Sequence, residues 1–199
     1  MQRERNGTNC LRRYECRRTI TSMLLYLAMF ALGLLVWTLI EYVIHGVLSH
    51  IFETAFVARQ HAGHHRDPHA VFTAGMWMPT ALVSAIVFGV FGLTPIITIW
   101  LGMVAGFLSY EMLHYRFHFA RPICALEERM RTRHLAHHFR EPAQIFGVTN
   151  RIWDRLLGSE PDGARLAELR ASVASTPPLT GPSNFRLAIR PWVFLTRNA

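Results

Sequence analysis

Thiol chemistry has little to work with in this chain. Its 199 residues hold three cysteines, Cys10, Cys16 and Cys124, which form neither a CxxC pair nor an even framework. Disulfide stapling and thiolate metal sites are therefore both poorly supported. Lysine is absent, so the net charge of +8 rests on 21 arginines against 13 acidic residues. Arginine on that scale suits either nucleic acid or an anionic membrane surface. No HExxH helix of the zinc peptidase type occurs, nor any haem, flavin or iron–sulfur motif, and the only recurring pattern is a spacing of histidines.

What the chain has instead is apolar sequence gathered into long runs. It is 51% hydrophobic with a positive mean hydropathy, which selects the membrane over nucleic acid as its partner. Residues 1–18 carry Arg3, Arg5, Arg12, Arg13, Arg17 and Arg18 without an apolar period and read as a disordered or surface-bound basic arm. Residues 20–40 contain no charge; a spanning helix needs about 20 apolar residues, and the run is too long for a signal peptide. The helix is expected to continue through EYVIHGVLSH, which has no proline.

A second apolar region, 76–110, is interrupted at Gly92-Leu93-Thr94-Pro95. Proline disfavours helical geometry in the residue before it, so the region divides into helices at 78–91 and 95–110, joined as a hairpin. Its turn is uncharged and both of its ends open onto histidine-bearing segments, which puts those ends on one membrane face. Residues 160–174 predict a short helix with Leu166, Leu169 and Val173 on one side. Residues 176–184 have the composition of a linker, and 185–197 mix arginine with bulky apolars as interfacial segments do. The expected fold is all-α: a basic arm (1–18), an integral membrane helical domain with a histidine-rich cytoplasmic dimetal cap (19–160), and a tail (161–199).

The stretch that organises the chain is QHAGHHRDPH, with His61, His64, His65 and His69. Helix neighbours three and four residues apart share a face, so His61, His64 and His65 are expected to point at one spot. The spacing returns in RHLAHH as His134, His137 and His138, and YEMLHYRFHF sets His114 and His118 four apart near Tyr110 and Glu111. At the end of the first apolar run, Glu41 precedes His45 by four residues and His50 follows five later. Neutral imidazole is a common ligand of first-row metals. Tetrahedral zinc takes four ligands and octahedral iron six, so the count argues for two ions in one basket. Iron with dioxygen is favoured over zinc hydrolysis, which normally needs few ligands and a general base. A wet dimetal site at the mouth of a membrane hairpin suits a lipid whose tail enters the bilayer. Beyond the boxes, IFGVTNRIWD contributes Asn150, Trp153 and Asp154, with core packing and a helix cap as the simpler role of the last two.

Read together, the boxes resemble the fatty acid hydroxylase and sterol desaturase superfamily of membrane di-iron oxygenases. The resemblance covers residues 34–160: HxxxxH at His45 and His50, HxxHH at His61, His64 and His65, HxxxH at His114 and His118, and HxxHH at His134, His137 and His138. It is nearest to fatty acid 2-hydroxylases, which have a similar EYxxH entry, a YxxxHYxxHF segment and an FGxxxxxWD tail. The resemblance implies that these ten histidines bind two iron ions, for which zinc can substitute in purified protein. It also implies that dioxygen supplies one atom to an unactivated C–H bond of a lipid acyl chain. Glu41, His69, Tyr110, Glu111, Asn150 and Asp154 are candidates for the surrounding layer. Set against that pattern, residues 1–199 are expected to lack a fused cytochrome b5 domain and one transmembrane helix before the first box, so electrons are expected from a separate cytochrome b5-like or ferredoxin-like protein with its reductase.

Rival readings are a carotenoid ring hydroxylase, a sterol or sphingoid-type oxidase and, outside enzymes, a metal-holding membrane protein. Thirteen of the 21 arginines, Arg116 to Arg197, follow the hairpin, so the positive-inside rule puts the boxes in the cytoplasm. If residues 20–40 span once, the N-terminal arm faces outward against that rule. The larger C-terminal excess is expected to prevail.

Overall fold

Long runs of leucine, valine and isoleucine satisfy their backbone groups within one segment in an apolar environment by winding into helices. The computed structural model describes residues 2–50, 56–72, 74–181 and 183, and among them the fold is all-helical. Helix α1 spans Gln2–Tyr42 and passes directly into a π-helical turn, Val43–Leu48. There follow α2 (Phe56–Arg66), α3 (Ala74–Val90), α4 (Thr94–Phe119), α5 (Ala125–Phe139), α6 (Ile152–Leu157) and α7 (Gly163–Val173). The basic arm is part of α1, not a separate disordered segment: arginine is a good helix former, and no proline separates it from the apolar run.

Two helices are long and apolar enough to cross a membrane, Glu15–Leu48 and Pro95–Phe119. Their outward faces carry large exposed apolar side chains, among them Leu24, Leu27, Leu101 and Leu108. Soluble monomers rarely expose patches of this extent. The two helices approach closely through small residues: a Cβ at Gly33 would collide with the Ile99 carbonyl, and one at Gly102 with the Phe30 carbonyl. Gly106 makes room for the Trp37 ring in the same way. Such contacts drive helix association where lipid removes the hydrophobic incentive, and they bring the C-terminal ends of α1 and α4 side by side.

Helices α3 and α4 form the expected hairpin, turning at Gly92, whose φ of 64° is open to glycine at no steric cost. Pro95 lies in the first turn of α4, where its missing N–H has no intrahelical partner to lose. The second arm runs on to Phe119, so the His114 and His118 box is the end of a helix long and apolar enough to cross a membrane.

Beyond the membrane helices, α5 and α7 pack around a core of Leu135, Ala136, Ile145, Leu166, Leu169 and Val173, which includes the apolar side read for 160–174. The described part of the expected linker is tied down. Leu179 N donates to His118 O at 2.7 Å, Arg131 Nη2 to Thr176 O at 2.7 Å, and the His69 ring meets Thr180 O at 3.1 Å. The interfacial segment expected at 185–197 lies outside the described residues.

Candidate metal centre

The histidines gather into two adjacent groups whose ring nitrogens lie close enough to share an ion. One holds His64, His114, His118, His134 and His138; the other holds His45, His61, His65 and His137. His50 lies against the second group, its Nε2 3.0 Å from that of His61. The three imidazoles of each HxxHH box therefore do not point at one spot, as their spacing alone suggests. On α2, His61 and His65 are one turn apart and serve one group, while His64 turns to the other. On α5 the assignment is reversed, with His134 and His138 in one group and His137 in the other. The boxes are thus exchanged between the groups, and the two sites meet where His65 stacks on His138 with centroids 4.2 Å apart.

The first box depends on a local departure from α-geometry. An α-helix advances about 100° per residue, which would set His45 and His50 about 140° apart on its surface. The π turn Val43–Leu48 contains His45 and ends two residues before His50, and its i→i+5 bonding brings residues five apart closer to one face. Their ring centroids are 6.3 Å apart.

The donor set fits metal ions. His45 Nε2 and both ring nitrogens of His114 and His138 are buried with no hydrogen-bond partner among the described residues, an arrangement that costs free energy unless something accepts them. The Nε2 pairs His61–His65, His118–His134 and His65–His137 are 2.8, 2.9 and 3.2 Å apart. Nitrogens each about 2.1 Å from one ion are separated by about 3.0–3.4 Å in octahedral or tetrahedral geometry. Burial, reinforced by the neighbouring imidazoles, pushes His61, His64, His134, His137 and His138 well below the usual histidine range, and His65 down to about 4. The rings are therefore neutral at physiological pH, the form that binds metal.

The segment 144–149 supports the second group. His137 Nδ1 meets Gln144 O at 2.8 Å and His45 Nδ1 meets Phe146 O at 2.5 Å. A carbonyl can only accept, so both rings carry hydrogen on Nδ1 and present Nε2 inward. Between the two carbonyls lies Ile145, fully buried with φ of 62°, a strained conformation for a β-branched residue. Asp154 holds the segment: Oδ1 accepts from Phe146 N at 2.8 Å and Ser159 Oγ at 2.7 Å, and Oδ2 from Gly147 N and Arg133 Nη2, both at 3.0 Å. Glu41, buried one turn before His45, accepts from Val148 N at 2.7 Å and from Thr149 N at 2.8 Å, and from the Thr149 hydroxyl.

The other candidates are distributed unevenly. Tyr110 lays its ring 5.3 Å from that of His114, and Glu111 is buried on α4 beside it. Asn150 turns away, its Oδ1 accepting from Ile152 N at the start of α6. His69 stands off the end of α2, bonded to Asp67 and Thr180 and outside both groups. Trp153 donates to Thr38 Oγ1, a packing role as the simpler reading had it, whereas Asp154 is the hub described above and not a cap. Sequence reading passed over Tyr42, whose hydroxyl is 3.0 Å from Ser159 Oγ, and the buried Arg131 and Arg133. The arginines flanking His134 in RTRH were the available signal.

The profile of the fatty acid hydroxylase family matches residues 30–159. A dihydroceramide fatty acyl 2-hydroxylase of Arabidopsis thaliana is 31% identical over 153 residues, covering 66% of this chain and 60% of that protein. The fatty acid 2-hydroxylase of Mus musculus is 31% identical over 147 residues, 65% of this chain and 38% of its own length. A ceramide very long chain fatty acid hydroxylase of Schizosaccharomyces pombe is 30% identical over 152 residues, 66% of this chain and 42% of its own. The chain thus spans between about two fifths and three fifths of these curated relatives. No solved structure is significantly similar to it.

Proposed function

This chain belongs to the fatty acid hydroxylase family, and we propose that it is a membrane-bound di-iron monooxygenase that hydroxylates a lipid acyl chain, at the 2-position as the names of its relatives have it. The observation that carries the proposal is the pair of adjacent histidine groups with buried, unpartnered ring nitrogens at the ends of two membrane helices. His64, His114, His118, His134 and His138 would hold one ion, and His45, His61, His65 and His137, with His50 alongside, the other. When bound, the irons supply activation of dioxygen, one atom entering the C–H bond and the other leaving as water, with two electrons and two protons from outside. The chain's own part is to fix the imidazoles on helices, exclude water from the buried groups and admit an acyl chain from the bilayer. Exposed arginines follow α4 (Arg121, Arg129, Arg140), and with the rest of the C-terminal excess they support a centre that faces the cytoplasm. A separate carrier protein delivers the electrons there.

Lipid mass spectrometry of cells expressing the chain, beside cells expressing His137→Ala, tests the proposal. One added oxygen on fatty or sphingolipid acyl chains, present only with the intact protein, is the expected result. Oxygen on ring carotenoids or sterols would move the substrate to a rival class, and an unchanged lipid profile would sink the enzymatic reading.

A further inference from the structure

The two histidine groups are supported differently, and the difference lies in one irregular segment. Carbonyls at positions 144 and 146 orient His137 and His45, which belong to the same group. In the other group, His114 and His138 have no hydrogen-bond partner on either nitrogen among the described residues, and Nδ1 of His134 has none. The carbonyls at 144 and 146 flank the strained Ile145, and the segment is fixed at its far end by Glu41 through Val148 and Thr149. Glu41 lies one helical turn before His45, so the junction of α1 and its π turn supplies both a ring and the anchor of the carbonyl that orients it.

We infer that segment 144–149, anchored by Glu41, is the orienting device of the ion site of His45, His61, His65 and His137 alone, so that loosening it empties that site and leaves its neighbour filled. Glu41 is then a positioning residue: its carboxylate fixes Val148 and Thr149, these fix Phe146 O, and Phe146 O holds His45 with Nε2 inward. Groups that orient metal-bound histidines typically contribute 10–100-fold to metal affinity, enough to separate two sites during purification. The inference rests on the two-ion reading proposed above.

The experiment measures metal per chain by elemental analysis in detergent-purified protein, for wild type, Glu41→Ala, Glu41→Gln, His114→Ala and the double variant Glu41→Ala/His114→Ala. Helical circular dichroism and monodisperse elution establish folding. Wild type is expected to hold about two ions, Glu41→Ala and His114→Ala about one each, and the double variant close to none. Glu41→Gln keeps an acceptor for both backbone N–H groups and is expected to retain close to two, a rescue that general loss of packing would not give. Thr149→Val, which removes only the hydroxyl bonded to Glu41, carries the test by a partial loss from the same site if Glu41→Ala does not fold. Two ions retained in folded Glu41→Ala, or both lost, would overturn the inference while leaving the two-ion reading intact. Wild-type protein with one ion or none would overturn both.

Discussion

Replacing Asp154 by asparagine removes one charge from the interior and changes almost no volume, so its effect can be traced bond by bond. Four donors converge on the carboxylate: Phe146 N and Ser159 Oγ on one oxygen, Gly147 N and Arg133 Nη2 on the other. Asparagine offers one oxygen and one amino group. The less costly orientation keeps its oxygen toward Gly147 and Arg133 and turns the amino group toward Phe146 N, since the Ser159 hydroxyl can rotate to accept. One buried N–H then loses its acceptor, at about 1–3 kcal/mol. Arg133, itself buried, loses one of its two anionic partners and keeps Glu160 at 3.1 Å. Full rupture of a buried pair costs roughly 3–5 kcal/mol, and the surviving partner reduces that. A total of about 3–5 kcal/mol follows, a large share of a domain stability of about 5–15 kcal/mol. At about 2–4 °C per kcal/mol for a chain of this size, thermal unfolding followed by circular dichroism in detergent should fall by roughly 6–20 °C. Arg133→Leu combined with Asp154→Asn should be less destabilising than the sum of the single changes, because removing the arginine removes the charge left exposed to the interior. A shift under about 2 °C, or strict additivity, would refute the assignment of Asp154 as the buried hub.

Three further outcomes follow from the same geometry. His69→Ala removes a contact to Thr180 and none to either histidine group, so metal content should stay at the wild-type level, while proteolysis near 176–181 should quicken; loss of an ion would place His69 among the ligands. Metal-free protein should weaken on acidification. His61, His64, His134, His137 and His138 titrate well below their unfolded value of 6.5 and His65 at about 4, so below pH 6.5 the unfolded chain binds more protons and stability drops as the pH drops, by up to about 1.4 kcal/mol per unit for each histidine. Chelated protein whose unfolding temperature is level from pH 7 to 4.5 would contradict this. In a cysteine-free background, Asn6→Cys should react with an impermeant thiol reagent from outside intact cells and Ser175→Cys should not; reaction at neither would mean a re-entrant first helix with its arm in the cytoplasm, and the opposite pattern would turn the whole chain over.

Much of the centre was legible because helical periodicity is local. The spacing His114–His118 fixes a shared face on α4 whatever surrounds it, and the apolar side of α7 follows from Leu166, Leu169 and Val173 in the same way. The allotment of histidines to two sites was not legible. His64 and His137 leave their box neighbours because α2 and α5 approach from different directions, and spacing within one helix carries no information about the other. The π turn had a trace in the sequence, the five-residue interval from His45 to His50, which an α-helix cannot bring to one face. Segment 144–149 had none that periodicity could find, since it acts through backbone carbonyls whose direction depends on a strained Ile145, on the nearby Asp154 carboxylate and on that of Glu41, 107 positions from Val148. The flexible-linker reading of 176–184 differs from the described part of that stretch for a related reason. Its linker-like composition says nothing of the partners, Arg131, His69 and His118, that hold it.

The central claim is oxygen insertion into a lipid acyl chain at the histidine centre, and isotope transfer tests it most directly. Purified iron-loaded protein, given ¹⁸O₂, a reductase with its carrier protein and a fatty acyl or ceramide substrate, should yield a hydroxylated chain carrying one ¹⁸O atom, with none formed by His64→Ala. Label entering from water, product formed without dioxygen, or full activity in His64→Ala would contradict the account.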